Sequence, residues 1–164
     1  MEIKYLPNKG FFINSLKIEW NDNRDVVRKL LENKHKSDDQ IIDVSHCFNG
    51  DESINIHQKR DIYENLYSKN DSLFLSYNKD NVLNELEVHH GFDILVGDIR
   101  LKFGKEIMDF VKLFQNKGIE YIETESGNYF LPDLKIVIAN NESFGGNGTC
   151  LEYFYSAFNT DHLM

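Results

Sequence analysis

The sequence predicts an α+β fold built from two tandem strand–helix–meander units, in which the helices pack on antiparallel sheets. Two observations lead to this prediction: a strand–helix pattern that recurs along the chain, and a series of short extended runs after each predicted helix. Residues 16–34 align without a gap with residues 99–117 (99 − 16 = 83). We therefore expect one compact domain over residues 1–164, with pseudo-repeat halves at about 10–90 and 91–160. The recurrence is consistent with an internal duplication.

The first element of each unit is a strand. Residues Leu16–Trp20 and Ile99–Phe103 both alternate apolar with charged residues and end on a large aromatic residue. This period of two is typical of a strand with one buried face, because successive side chains of a strand point to opposite sides. We therefore predict a half-buried strand at each position.

The second element of each unit is an amphipathic helix. Four apolar residues recur at helical spacing in the second unit: Ile107, Phe110, Val111 and Phe114. The apolar residues of the first predicted helix are Val26, Val27, Leu30 and Leu31. Asp22 or Asn23 is suited to cap the first helix, and the second helix is expected to open at Gly104 or Lys105.

Short extended runs follow each predicted helix. They cover residues 40–48, 53–63, 72–77 and 82–90 in the first half, and 119–124, 128–131, 134–139 and 150–158 in the second. Clusters of Asn, Asp and Gly separate these runs, and such residues tolerate tight turns. Short turns imply antiparallel pairing, because parallel strands need long crossovers. The first half is the longer one, which we attribute to an insertion around residues 38–61.

The composition is that of a folded, acidic chain. Hydrophobic residues make up 41% and aromatic residues 13%, enough to fill a core in a chain of 164 residues. The net charge of −9 disfavours nucleic acid as a partner, because the chain repels phosphate backbones. The charge either serves solubility alone or favours a basic protein partner. We expect a cytoplasmic protein that does not enter membranes, because the sequence shows neither a signal-peptide pattern nor a long apolar run.

The motifs of metal, nucleotide and hydrolase sites do not occur in the sequence. His89 and His90 are adjacent, so on a regular strand they point to opposite faces and cannot share one metal ion. Residues 144–149 are rich in glycine but lack the lysine of a phosphate-binding loop, and we predict a hairpin loop there. We therefore expect no metal, no cofactor and no catalytic residue.

An enzyme or small-ligand site remains the alternative function. Its centre would be Asp43, His46 and Cys47, which lie close together in the sequence and offer a carboxylate, an imidazole and a thiol. These are the groups that a nucleophilic hydrolase combines.

Acidic residues in or near predicted strands are candidates for contact with a basic partner. They are Glu85, Glu87, Glu120, Glu123 and Glu125. Alternation with apolar residues places Glu85 and Glu87 on one strand face. Three interpretations are open for this set: a solvated sheet face, a surface for a basic partner, or a carboxylate pair for acid–base catalysis.

The C-terminal strand is apolar on both faces. Leu151, Tyr153 and Tyr155 alternate on one face, and Phe154 and Phe158 lie on the other. Such a strand is either buried on both sides or lies at an interface with a partner or a second copy of the chain. We therefore add Phe154 and Phe158 to the candidate partner-binding residues and leave a homodimer open.

In overall character the chain resembles bacterial immunity proteins, which neutralise secreted or contact-delivered toxins. The resemblance rests on small size, acidity, richness in Asn and Lys and the lack of a catalytic motif, and on no motif that can be matched residue by residue. It implies a non-catalytic protein that blocks a basic nuclease or the active cleft of another toxin with an acidic surface. No site residue is carried over from these families.

Overall fold

A computed structural model describes residues 1–163, and the protein is mostly β. Strands make up 45% and helical segments 19% of the structure, which has two α-helices and two sheets in the described part. The predicted α+β fold, with helices packed on antiparallel sheets in strand–helix units, is therefore wrong. The hairpin before each helix joins one sheet and the strands after the helix join the other. The period-two pattern of a strand does not reveal this division, since it reports only which residues share a face.

The smaller sheet contains five strands: β1 (Glu2–Leu6), β2 (Gly10–Ile13), β3 (Leu16–Glu19), β9 (Asp93–Val96) and β10 (Ile99–Lys102). Their order is β10-β9-β1-β2-β3. β1 pairs with β2 in antiparallel and with β9 in parallel orientation, so the N-terminal strand joins hairpins from both halves of the chain.

The larger sheet contains nine strands, and its neighbouring strands are antiparallel: β4 (Lys36–Ser37), β5 (Gln40–Ile42), β6 (Ile56–Glu64), β7 (Ser72–Tyr77), β8 (Leu83–His90), β11 (Ile122–Glu125), β12 (Asn128–Leu131), β13 (Ile136–Asn140) and β14 (Leu151–Ala157). Their order is β11-β12-β13-β14-β8-β7-β6-β4, and β5 also pairs with β6. β8 and β14 thus lie at the centre of the sheet. The antiparallel pairing of its neighbouring strands agrees with the prediction made from the short turns.

The two halves of the chain contribute elements in the same order. The hairpin β2–β3 precedes α1 (Arg24–Leu30), and the hairpin β9–β10 precedes α2 (Ile107–Gln115). In the larger sheet, the first half supplies β8 and the strands on its side, and the second half supplies β14 and the strands on the other side. The strands of the two halves therefore lie on opposite sides of the β8–β14 pair. That the two halves arose by duplication stays a prediction.

Helix α1 begins as the sequence predicts. Asn23 is its N-cap, and the side-chain oxygen accepts a hydrogen bond from the backbone N–H of Asp25 at 3.0 Å. Val27 and Leu31 are buried in the core, as expected from the helical spacing. Val26 is 49% exposed and does not belong to the buried stripe, which is therefore narrower than predicted.

Helix α2 buries the four apolar residues that its spacing predicts: Ile107, Phe110, Val111 and Phe114. Its N-cap is Glu106, so the helix begins later than the predicted opening at Gly104 or Lys105. None of the helices within residues 1–163 combines the length and the apolar character needed to cross a lipid bilayer.

Both sheets and both helices contribute to the main hydrophobic core. A smaller buried cluster lies on the other side of the larger sheet and contains Phe130, Val137, Tyr155 and Ala157. Tyr5 of the smaller sheet meets Phe154 of the larger sheet edge to face, with ring centroids 5.9 Å apart. The Tyr5 hydroxyl donates to the backbone oxygen of Leu134 at 2.8 Å and accepts from the Ser156 hydroxyl at 2.8 Å. Burial raises the pKa of Tyr5 to about 12, so the hydroxyl remains a donor at neutral pH. The contact joins the two sheets without leaving this polar group unsatisfied.

A buried ion cluster fastens α1 to the larger sheet. The Asp61 side chain of β6 is fully buried. It accepts hydrogen bonds from Arg24 Nη2 at 2.6 Å and from Arg28 Nε at 2.8 Å. Arg24 also donates to both carboxylate oxygens of Asp39, at 2.9 and 2.7 Å. The cluster therefore joins three separate segments: the helix, strand β6 and the residues just before β5.

We expect Asp61→Asn to lower the free energy of unfolding by about 3–5 kcal/mol at pH 7, because it removes the buried negative charge that Arg24 and Arg28 share and leaves Arg24 with the half-exposed carboxylate of Asp39. Burial alone would raise the pKa of Asp61, but hydrogen bonds from Arg28 and Arg24 hold it below its usual value. The stabilisation is therefore present above the unfolded pKa of about 3.9 and is lost as the pH falls through the lower folded pKa. Urea unfolding at pH 7 and at pH 3 measures both effects.

The matched control for this experiment is Asp80→Asn, which neutralises an exposed carboxylate in the turn between β7 and β8. We expect the control to change the free energy of unfolding by less than about 0.5 kcal/mol. An equal loss of stability in the two variants would show that the ion cluster does not stabilise the fold.

Candidate protein-binding face

The face of the larger sheet that points away from the core carries the candidate site, and we call it the outer face. One row of cross-strand partners defines it: Phe130, Val137, Tyr155, Glu87 and Phe74, which lie in register from β12 to β7. Directly opposed residues of paired strands lie on the same side of a sheet. Alternate residues of the same strands point inward to the core, so local strand patterning places this row on the outer face.

Two tyrosines and two glutamates form the centre of the outer face. Tyr153 and Tyr155 of β14 stack with ring centroids 6.5 Å apart and an angle of 10° between the rings. The carboxylates of Glu87 and Glu85 lie near the hydroxyls of Tyr153 and Tyr155, respectively. Burial raises the pKa of both hydroxyls, and the neighbouring carboxylates raise it further. Both tyrosines therefore stay protonated at neutral pH beside the two carboxylates.

A recess of about 530 Å³ opens on this part of the outer face. Its walls include the aromatic side chains Phe130, Tyr153 and Tyr155 and the carboxylates Glu85 and Glu125. Phe130 and Tyr155 are buried, so the half-buried ring of Tyr153 and the carboxylates are the groups within reach of a partner. An aromatic face attracts cations, and carboxylates form charge-assisted hydrogen bonds with guanidinium and ammonium groups. The combination is chemically suited to the basic side chain of a partner.

A second group of side chains lies beside the recess. The His89 ring lies between Phe74 and Tyr153, with centroid distances of 4.4 and 5.4 Å, and its Nε2 is 3.6 Å from Glu87 Oε2. The Arg60 guanidinium lies 5.2 Å from the Phe74 ring centroid, and its Nη1 is 3.9 Å from Glu87 Oε1. Glu87 thus has a basic neighbour of its own chain on this side.

The structure distributes the predicted partner-binding residues over several places. Glu85, Glu87 and Glu125 border the outer face and its grooves. Glu123 is exposed on the edge strand β11, opposite Tyr129, whose side chain belongs to the core side of the sheet. Glu120 precedes β11 and borders a separate recess next to the end of α2. The five glutamates therefore do not form one patch.

Of the two predicted partner-binding phenylalanines, one is buried and the other is partly exposed. Phe154 is fully buried in the core, because strand alternation points it inward between Tyr153 and Tyr155, so it cannot contact a partner. Phe158 is 40% exposed and lies against Lys135, whose Nζ is 5.6 Å from the ring centroid. Leu151 is also in the core rather than beside Tyr153, because the β13–β14 register shifts between Ala139 and Asn140.

Sequence reasoning missed three members of the outer face. His89 has the same strand parity as Glu85 and Glu87, and this signal was available in the sequence. Arg60 and Phe74 reach the same place only through the pairing of β6 with β7 and of β7 with β8. Local patterns do not specify such pairing, so these two residues required the tertiary structure.

The alternative centre at Asp43, His46 and Cys47 lies on a protruding segment. All three side chains are exposed, and the Asp43 carboxylate accepts a hydrogen bond from the backbone N–H of Ser45 at 2.9 Å. This hydrogen bond organises a local turn, and the Ser45 hydroxyl, followed by the Ser45 backbone N–H, lowers the pKa of Asp43. Within residues 1–163, no group of three His, Cys, Asp or Glu residues is arranged to hold a metal ion.

Comparisons of the chain with protein-family models, with curated proteins and with solved structures found no match.

We expect Phe154→Ala to lower the free energy of unfolding by about 3–5 kcal/mol, because it removes a fully buried ring from the contact between the two sheets. Phe158→Ala, the matched control on the same stretch of chain, should cost less than about 1 kcal/mol because its ring is partly exposed. Urea unfolding at neutral pH measures both. Similar costs for the two variants would contradict the placement of Phe154 in the core.

Proposed function

We propose that the protein is a non-catalytic binding protein that neutralises a basic protein partner through the outer face of its larger sheet, in the manner of an immunity protein. The observation that carries this proposal is the recess in which Glu85 and Glu125 meet the rings of Tyr153 and Tyr155. Carboxylates beside aromatic rings in an open recess suit the arginine and lysine side chains of a protein surface.

The charge of the chain supports the same partner class. A net charge of −9 accelerates the encounter with a basic protein and penalises acidic ones. A basic cleft that binds phosphate groups would accept carboxylates in their place, because both are anions recognised by the same guanidinium and ammonium groups. Blocking such a cleft needs a stable complex and no chemical step.

The geometry also favours a preformed surface over a flexible one. Glu85 and Glu87 lie on the central strand β8, and their carboxylates lie beside Tyr155 and Tyr153 of the neighbouring strand β14. Groups that are already oriented lose less conformational entropy when a partner binds. The proposed site therefore gains affinity from rigidity as well as from charge.

The test is a charge reversal, Glu85→Lys with Glu87→Lys, with Asp109→Lys plus Asp133→Lys as the control that changes the net charge equally. Asp109 and Asp133 are exposed carboxylates on α2 and in the turn before β13, outside the outer face. We expect the wild-type protein to capture a basic protein from extracts of its source at near 1:1 stoichiometry and to inhibit that partner's activity. Moderate salt should weaken capture, because it screens the charges.

The first double variant should lose affinity for that partner by at least about tenfold, and the control should keep it within about threefold. A calorimetric titration with the purified partner measures both values. If both double variants lost affinity equally, binding would depend on net charge alone and not on the outer face. A captured partner that binds without any inhibition would overturn the neutralising role.

A further inference from the structure

An arm in the first half of the chain carries exposed apolar side chains, and it lies within the stretch 38–61 where the sequence predicts an insertion. We define the arm as residues 40–58, which comprise β5, the following turns and the start of β6. Within it, Ile41, Ile42, Phe48 and Ile56 are exposed by 65%, 43%, 57% and 54%. Large aliphatic and aromatic side chains gathered in one exposed segment are typical of an interaction surface.

Strand pairing assigns two of these side chains to the outer face. Ile42 pairs directly with Ile56, so the two side chains lie on the same side of the sheet. Ile56 and Arg60 are four residues apart on β6, an even spacing that places them on the same strand face. Since Arg60 lies above Phe74 on the outer face, Ile42 and Ile56 extend that face outward. Ile41 pairs with His57 and points to the opposite side.

A groove connects the arm to the carboxylates at the centre of the sheet. It has a volume of about 330 Å³, and its lining includes Ile56, Arg60, Glu85 and Glu87. An aliphatic surface at one end is thus continuous with Glu85 and Glu87 at the other, and Arg60, which also pairs with Asp38, lies between them. One extended segment lying across the sheet could contact both.

We infer that the outer faces of the arm and of β8 form one docking surface for an amphipathic basic segment of the partner. Its aliphatic side chains would cover Ile42 and Ile56, and its lysine or arginine side chains would meet Glu85 and Glu87. This inference rests on the proposed function and adds the chemistry of the partner segment: basic residues combined with aliphatic ones.

Charge complementarity favours such a segment over a second copy of this chain. Two copies docked through their outer faces would bring like-charged carboxylates together. Antiparallel pairing of β5 with itself, centred on Ile41, would oppose Asp39 of one copy to Asp43 of the other. Like charges directly opposed across a strand pair are destabilising. A basic segment would face neither of these repulsions between carboxylates.

The test uses two synthetic peptides of equal length and charge, one alternating lysine with leucine and the other alternating lysine with serine. We expect the wild-type protein to bind the lysine–leucine peptide about tenfold more tightly than the lysine–serine peptide, because only the first covers the isoleucines. Ile42→Ser with Ile56→Ser should remove this preference. Ile41→Ser, which changes an isoleucine on the opposite face of the same arm, should preserve it. Fluorescence anisotropy of labelled peptides measures the affinities.

The possible outcomes separate this inference from the proposed function. Glu85→Lys with Glu87→Lys should weaken both peptides, and unchanged lysine–serine binding in that variant would count against the proposed function itself. If the wild-type protein did not prefer the lysine–leucine peptide, the role of the arm would be overturned. The same would follow if Ile41→Ser lost the preference as completely as Ile42→Ser with Ile56→Ser. Neither result would affect the proposed function. A wild-type dimer in sedimentation that Ile42→Ser with Ile56→Ser dissociates would identify a second copy as the occupant and would also overturn the inference.

Discussion

The buried carboxylate of Asp61 is the constraint on which the arrangement of the first half depends. Its two oxygens accept hydrogen bonds from Arg24 and Arg28, and Arg24 continues to Asp39 at the base of the arm. A buried charge is tolerated only when its partners are in place, so helix α1, strand β6 and the arm must assemble together. The base of the arm is therefore tied to the sheet although its tip is exposed.

The outer face carries a second group of polar side chains, formed by two tyrosines and two glutamates. Tyr153 and Tyr155 lie beside Glu87 and Glu85, and the central position of β8 and β14 holds all four residues on paired strands. A surface carboxylate on a loop would sample many orientations, whereas these carboxylates are restrained by strand geometry and by the neighbouring rings. Rigid presentation of negative charge is what the proposed complex with a basic partner requires.

Local signals in the sequence predicted a good part of the elements and misjudged their assembly. Helical spacing located α2 through Phe110 and Phe114, and alternation placed Glu85 and Glu87 together on one strand face. The α+β class failed because the hairpin before each helix pairs in a different sheet from the strands after it. Phe154 was assigned to a contact surface because a strand that is apolar on both sides does not show which side faces the core.

The sequence by itself determined what short-range physics controls: the two amphipathic helices, the alternating strands, the acidic charge and which residues share a face within a regular strand. Only the tertiary structure decided which strands are neighbours, and hence that Arg60 and Phe74 join the tyrosines and glutamates of β14 and β8 on one face. It also decided that the arm continues that face. The reason is that strand pairing depends on contacts between residues far apart in the chain, whereas periodicity reports only on neighbours.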